Sequence, residues 1–239
     1  MIDISSQILW GTKDGPSKAS ASGKMLSQMS YSGTTHIIAT PRYVYGRDFL
    51  SQEEITSQIS DLNEYASNND MVARVLPGAI IVADCFITQA YENLHEMTLA
   101  SSRYLLLELV GYSIPSFWDE LTLELARLGL VTVCKCAETH PYIQQNTDTI
   151  QKMTSHGILF AISARSILGR NGKIAFQAAN YMLEKNLASF ICSDARSPYL
   201  HRTQLEKAFY LVTKKMGRET AERLFYTNPS KIIFNESIF

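Results

Sequence analysis

No stretch of this chain is apolar for long enough to cross a bilayer. Its longest hydrophobic runs, such as residues 105–107 and 158–162, fall far short of the roughly 20 residues a spanning helix needs. The start, Met1-Ile2-Asp3-Ile4, lacks the basic segment, apolar run and small-residue cleavage site of a secretory leader. Cysteine is scarce: Cys85, Cys134, Cys136 and Cys192 show neither the paired spacing of a zinc site nor a disulfide framework. A reducing, cytoplasmic setting is the expectation that follows. Neither charge sign is in excess, since 22 basic residues face 23 acidic ones for a net charge of −1. That balance offers nucleic acid no general attraction. Low-complexity tracts, charge blocks and Pro/Gly-rich linkers are also missing. The nearest to a linker, residues 11–23, is rich in Ser, Lys and Gly and reads as a loop after the first strand. Residues 1–239 are therefore expected to form one domain.

What is present is a regular alternation. The chain is 46% hydrophobic and 19% charged, which suits a sizeable core. Short, nearly continuous apolar or β-branched runs recur at residues 2–5, 36–39, 74–82, 104–109, 130–134, 158–163 and 188–192. Such runs suit strands buried on both faces of a parallel sheet. Helical patterns fall between most of them, at residues 24–30, 52–68, 118–128, 147–155 and 173–184, and two more follow at 204–215 and 218–226. The alternation predicts an α/β fold, a (β/α) barrel of about seven strands, with a doubly wound open sheet as the rival. In either architecture functional groups collect at the C-terminal ends of strands. Those ends carry Arg42, Glu108, Cys136, Glu138, Asp194 and Arg196. Two readings are open: a structural salt-bridge network, or a site in which guanidinium forks take a phosphate or carboxylate.

A wider set of short motifs bears on the choice: Met1 to Ile4 followed by Ile8-Leu9, Asp14-Gly15-Pro16, residues 37–41, Leu76-Pro77-Gly78, Glu108, Gly157, Leu168-Gly169, Ser193-Asp194-Ala195 and residues 233–239. Together they resemble the PHP (polymerase and histidinol phosphatase) superfamily. The branch they resemble is the manganese-dependent protein-tyrosine phosphatase of bacterial capsule and exopolysaccharide operons. The resemblance spans essentially the whole chain and implies a PHP-like distorted TIM barrel. It also implies a capsule-type tyrosine kinase, or another phosphorylated ligand, as partner. No nucleic-acid partner and no membrane insertion are expected, and the oligomeric state stays open.

The departures from the family pattern carry the functional expectation. The family's Asp-Ile-His-x-His opening places metal-binding imidazoles where this chain has Ser5 and Gln7. Its Asp-Asp-Gly becomes Lys13-Asp14-Gly15, and its Ala-Thr-Pro-His-His becomes Ala39-Thr40-Pro41-Arg42-Tyr43. The acid of its Pro-Gly-x-Glu is replaced by Ile80. Its Ala-His-Pro-Glu-Arg falls on Lys135-Cys136-Ala137-Glu138-Thr139, and its Ser-Asp-Ala-His on Ser193-Asp194-Ala195-Arg196. Of the ligand set the resemblance implies, Glu108 and Asp194 clearly remain. Serine and glutamine are weak neutral ligands, and guanidiniums repel cations. No catalytic residue, metal ligand or cofactor is therefore expected, where the family would use manganese.

The leading expectation is a catalytically inactive pseudophosphatase that binds or regulates in polysaccharide synthesis. An active phosphatase with altered metal ligands is one alternative, and a different enzyme or binder of an anionic small molecule is another. Lys13, Arg42 and Arg196 are the candidate anion-binding residues. Arg42 or Arg196 is expected to pair directly with Glu108 or Asp194, taking over the charge that metals would have balanced. His140-Pro141 repeats the family's His-Pro four positions late, which leaves open whether His140 enters the cleft. Cys134 and Cys136 are expected on one face of a strand, as inert thiols. His36, His95, His156 and His201 match no ligand spacing and are expected to be packed or at the surface.

Overall fold

The computed structural model describes residues 1–47, 49–87, 94–199 and 202–238. His201, expected to be packed or exposed, and Phe239, part of the C-terminal likeness, lie outside them. Among the described residues nine strands alternate with helices. They are β1 (Ile2–Ser6), β2 (His36–Ala39), β3 (Arg42–Tyr43), β4 (Arg74–Leu76), β5 (Ile80–Val82), β6 (Tyr104–Glu108), β7 (Val131–Lys135), β8 (Leu159–Ser163) and β9 (Phe190–Cys192). Every strand pair is parallel, in sheets ordered β1-β2-β4 and β3-β5-β6-β7-β8-β9.

The expected strand 36–39 is present with those bounds and the short β3 follows it, whereas the expected strand 74–82 is broken in two; both interruptions fall at a proline. Thr40-Pro41 separates β2 from β3, and Pro77-Gly78 separates β4 from β5. Proline has no N–H to give a ladder, so an internal sheet position becomes a break. The carbonyls stay paired: Pro41 O accepts from Ile80 N (3.0 Å) and Pro77 O from Ala100 N (2.7 Å). β2 runs on into β3 and β4 into β5, which joins the two sheets along one side. On the other side β1 meets β9 through a single Ser6–Ala195 bridge, with Gln7 N donating to Ala195 O (2.8 Å) and Asp194 N to Ser5 O (3.1 Å). The result is an α/β barrel whose last seam is a bridge rather than a ladder.

Alternation along each strand feeds two cores. Ile4, Ile38, Ile80, Leu106, Val133 and Phe190 fill the interior. Their neighbours Leu105, Leu107, Cys134, Phe160, Ile162 and Ile191 pack outward against the helices. Both faces are buried, which is why the strands read as nearly continuous hydrophobic runs.

The helices are α1 (Ala19–Tyr31), α2 (Gln52–Asn68), α3 (Trp118–Arg127), α4 (Pro141–Gln145), α5 (Asp148–Ser155), α6 (Ala164–Ile167), α7 (Lys173–Glu184), α8 (Leu205–Met216), α9 (Arg218–Glu222) and α10 (Asn228–Ile233). α1 begins inside the segment expected to be a loop. Gly23 sits within it because the Tyr65 ring of α2 lies 3.3 Å from where a Cβ would stand. Between α9 and α10 the backbone widens into a π turn at Arg223–Thr227. Pro229 begins the next turn and has no N–H to return to it. No helix among the described residues is long and apolar enough to cross a membrane.

Candidate functional site

Glu108 ends β6 and Lys135 ends β7, and the parallel register sets them side by side. The next residue, Cys136, has φ 49°, a left-handed backbone that a side chain other than Gly, Asn or Asp rarely adopts. Asp194, just past β9, has the same φ of 49°. Two such turns, costing about 1–3 kcal/mol each, bend the chain sharply at neighbouring strand ends. Lys135, the last residue of β7, has its buried end between two acids.

The Lys135 ammonium lies 2.8 Å from Asp194 Oδ1 and 3.5 Å from Glu108 Oε1, on a side chain only 1% exposed. Glu108 Oε2 accepts from Arg42 Nε. Asp194 Oδ2 accepts from Arg196 Nη2 at 3.3 Å, and Arg196 Nη1 stands 4.0 Å from Asp14 Oδ1. The expected arginine–carboxylate pairing is therefore present, and twice over, with Arg42 on Glu108 and Arg196 on Asp194, joined through a lysine into one chain of charge. Three cations (Arg42, Lys135, Arg196) face three anions (Asp14, Glu108, Asp194).

The electrostatics follow from that balance. Burial is the largest influence on Glu108 and would raise its pKa, but Lys135 and then Arg42 outweigh it and hold the carboxyl below its usual range. Asp194 behaves alike: burial raises, then Lys135 and Arg196 lower, and the net is lowered. Burial disfavours the Lys135 charge, but the ionised Asp194 and Glu108 carboxylates beside it offset that and keep the amine protonated. Two other buried acids have no cation within ion-pair reach among the described residues. Asp3 accepts from Ser193 N (2.9 Å), Ser193 Oγ and Ser5 N (3.3 Å), yet burial lifts it to about 6. Glu138 accepts from Ser163 N at 2.9 Å and is lifted by burial to about 7.

The other expected positions surround this network. Ser5 is buried, its Oγ 3.5 Å from Thr40 Oγ1. Gln7 is buried beside Ala195, and its side-chain amide has no hydrogen-bond partner among the described residues. Ile80 belongs to the apolar interior, and Cys136, although next to Lys135, packs its thiol there too. Hydrogen bonding with Cys192, then burial, push the Cys136 thiol up, which suits an inert group. The two thiols expected on one face part company: Cys134 packs outward with the helices and Cys136 inward. Strict alternation ends at Lys135, and the left-handed turn redirects the next side chain. His140 is buried, its pKa lowered by burial against a backbone contact at Val110, and it joins none of the ion pairs. Lys13 is exposed and forms no ion pair among the described residues. With Asp14, Arg42, Phe49 and Leu50 it borders a cavity of about 250 Å³ beside the network.

Lys135 is the residue that sequence reasoning passed over, although it lay within a strand end already marked for attention. The usable signal was a lysine closing a buried, β-branched strand in register with Glu108.

The manganese that the family resemblance implies can be tested against these groups. A divalent ion held by Glu108 and Asp194 would need the oxygens that Lys135, Arg42 and Arg196 already take. At about 4 Å each unit positive charge repels a divalent ion by roughly 8 kcal/mol at an effective dielectric near 20. Among the described residues no group of three His, Cys, Asp or Glu side chains is arranged to hold a metal. The residues present do not fit the metal.

Comparison with known proteins gives a consistent likeness. Residues 1–234 match the family described as capsular polysaccharide synthesis, CpsB/CapC. CapC of Staphylococcus aureus is 28% identical over 238 residues, covering 100% of this chain and 93% of that protein. The tyrosine-protein phosphatase CpsB of Streptococcus pneumoniae is 25% identical over 248 residues, covering 100% of both. A solved structure from work on YwqE of Bacillus subtilis and CpsB of S. pneumoniae, described as unique metal-dependent tyrosine phosphatases, has a TM-score of 0.92. It is 25% identical and covers 100% of this chain and 96% of that one.

Proposed function

Because this chain belongs to the CpsB/CapC family of capsular polysaccharide synthesis, we propose that it is a single-domain, non-catalytic PHP-type pseudophosphatase that binds or regulates in capsule or exopolysaccharide production. The observation that carries this reading is the Lys135 ammonium, in contact with both Glu108 and Asp194. A lysine there, with Arg42 and Arg196 on the outer oxygens, balances the surviving acids and leaves no oxygen pair free for a divalent ion. Without that ion no described residue at the mouth generates a hydroxide to attack a phosphoryl group. Cys136 offers no substitute chemistry, since its thiol is buried and held protonated.

A binding role draws on the same residues. Arg42 gives its Nε to Glu108 and also borders the cavity shared with Lys13 and Phe49. An exposed amine, a guanidinium edge and a half-exposed ring suit a phosphorylated aromatic ligand, such as the phosphotyrosine tail of a capsule-type kinase. The ion-paired arginines are largely neutralised locally, so modest affinity is expected rather than tight capture.

Two measurements on purified protein test the reading: metal content, and hydrolysis of an aryl phosphate with added Mn²⁺. The expected result is substoichiometric metal and no Mn²⁺-dependent turnover. Metal-stimulated turnover that disappears in Glu108→Gln would overturn it. For the ligand, phosphotyrosine should raise the melting temperature, and Arg42→Gln with Lys13→Gln should remove that effect.

A further inference from the structure

The four oxygens of Glu108 and Asp194 are shared out without remainder. Lys135 takes Glu108 Oε1 and Asp194 Oδ1, Arg42 takes Glu108 Oε2, and Arg196 takes Asp194 Oδ2. The two arginines approach from the rim, with side chains 25% and 32% exposed, whereas Lys135 comes from below at 1%. The ammonium therefore ties the ends of β6, β7 and the β9 turn together from within. Removing it would leave two largely buried carboxylates facing one another across the space it filled, with a network charge of −1 instead of zero. Paired buried carboxylates in such a gap form an oxygen-ligand site suited to a hard divalent cation.

We infer that Lys135 is the resident cation of this mouth, a covalently attached counter-ion that keeps the strand ends assembled without any divalent metal and blocks a latent divalent-cation site formed by Glu108 and Asp194. This rests on the non-metal reading above and adds to it a specific cause. The mouth is built constitutively: chelators should leave it intact, and its ligand binding should not follow metal supply. Lys135→Ala should convert it into a cation-dependent structure, and Lys135→Asp, which adds a third carboxylate, should do so more strongly. In the wild-type chain the ammonium contributes its charge and three donors with no loss of mobile ions.

The test is a thermal-melt series with EDTA or with millimolar Mn²⁺, Mg²⁺ or Ca²⁺, alongside the decrease of the free Mn²⁺ spin-resonance signal on adding protein. Wild type is expected to show no cation-dependent shift. Lys135→Ala should melt several degrees lower in EDTA and recover part of that loss with Mn²⁺. Lys135→Asp should show the larger recovery, and adding Glu108→Gln to either should abolish it. If a variant does not fold in EDTA, its refolding yield with and without Mn²⁺ gives the same reading. Variants that fold, or refold, equally with and without divalent ions would overturn this inference and leave the non-metal reading intact. Mn²⁺ binding by wild type that Glu108→Gln removes would overturn both.

Discussion

Four acids of this chain, Asp3 and Glu138 fully buried and Glu108 and Asp194 partly so, meet burial in two ways. Glu108 and Asp194 face cations and are held below the usual carboxylate range, whereas Asp3 and Glu138 face only neutral donors and rise. The stability each contributes has opposite pH sense. The ion-paired acids stabilise fully above the unfolded carboxylate pKa, and that contribution is lost as pH falls through their lowered folded values. Glu138 keeps its proton in the folded state up to about 7, while the unfolded chain releases it near the ordinary value of about 4.3. Between those points the native state binds more protons, so stability falls as pH rises. Glu138→Gln should therefore gain about 2 kcal/mol relative to wild type between pH 5 and pH 8, measured by urea melts at each pH. A difference flat with pH would mean that Glu138 is already ionised in the fold. Residue by residue, Arg42, Glu108, Asp194 and Arg196 were legible because strand ends are where a barrel collects its polar groups. Lys135 was not, because lysine at a strand end ordinarily marks solvent. Alternation along β7 points it inward with Val133, and its burial comes from the acids and strand ends that close over it.

At the scale of elements, legibility followed the strength of local chemistry. The expected helix at residues 52–68 has the bounds of α2, and its start is fixed by a complete capping box. Ser51 Oγ accepts from Glu54 N at 3.2 Å, and Glu54 Oε2 accepts from Ser51 N at 2.8 Å. Ser51→Ala should cost about 1 kcal/mol, lowering the melting temperature by about 2–4 °C in a chain of this length. No change in melting temperature would show that the first turn of α2 frays in solution. α1 was only half legible, because its first turn, Ala19-Ser20-Ala21-Ser22, lacks an apolar period and its N-cap residue, Lys18, makes no side-chain cap bond. Its start is decided by tertiary packing, with Met25, Leu26 and Met29 in the outer core and Tyr65 lying over Gly23. The strand breaks at Pro41 and Pro77 follow from proline's missing donor. The hydrophobic run across 74–82 hid the second one, because Gly78 turns the chain where a Cβ would stand 2.6 Å from Ile38 Cγ2.

For the whole molecule, the charged mouth at one end of the barrel is matched by an apolar closure at the other. Ile232 of α10 is fully buried in the interior cluster, with Ile2, Leu99 and Tyr104 at the strands' opening ends. The segment that follows is tied down by polar bonds. Tyr104 Oη donates to Glu236 O (2.6 Å), while Arg103 donates from N and Nε to Asn235 Oδ1 (3.0 and 3.1 Å) and from Nη2 to Asn235 O (3.0 Å). The two kinds of contact predict different costs. Ile232→Ala opens a cavity in a packed interior and should cost about 2–5 kcal/mol. Asn235→Gly removes exposed hydrogen bonds but suits a backbone already at φ 54°, so it should cost only about 1 kcal/mol. Neither residue touches the network at the mouth, which lies at the opposite ends of the strands. Phosphotyrosine stabilisation should therefore be the same in both variants as in wild type, measured as the ligand-induced shift from each variant's own melting temperature. An Ile232→Ala cost below about 1 kcal/mol would mean that α10 does not close the barrel. A changed ligand shift would mean that the two ends are coupled through the strands, and that the mouth is not assembled by its own ion pairs alone.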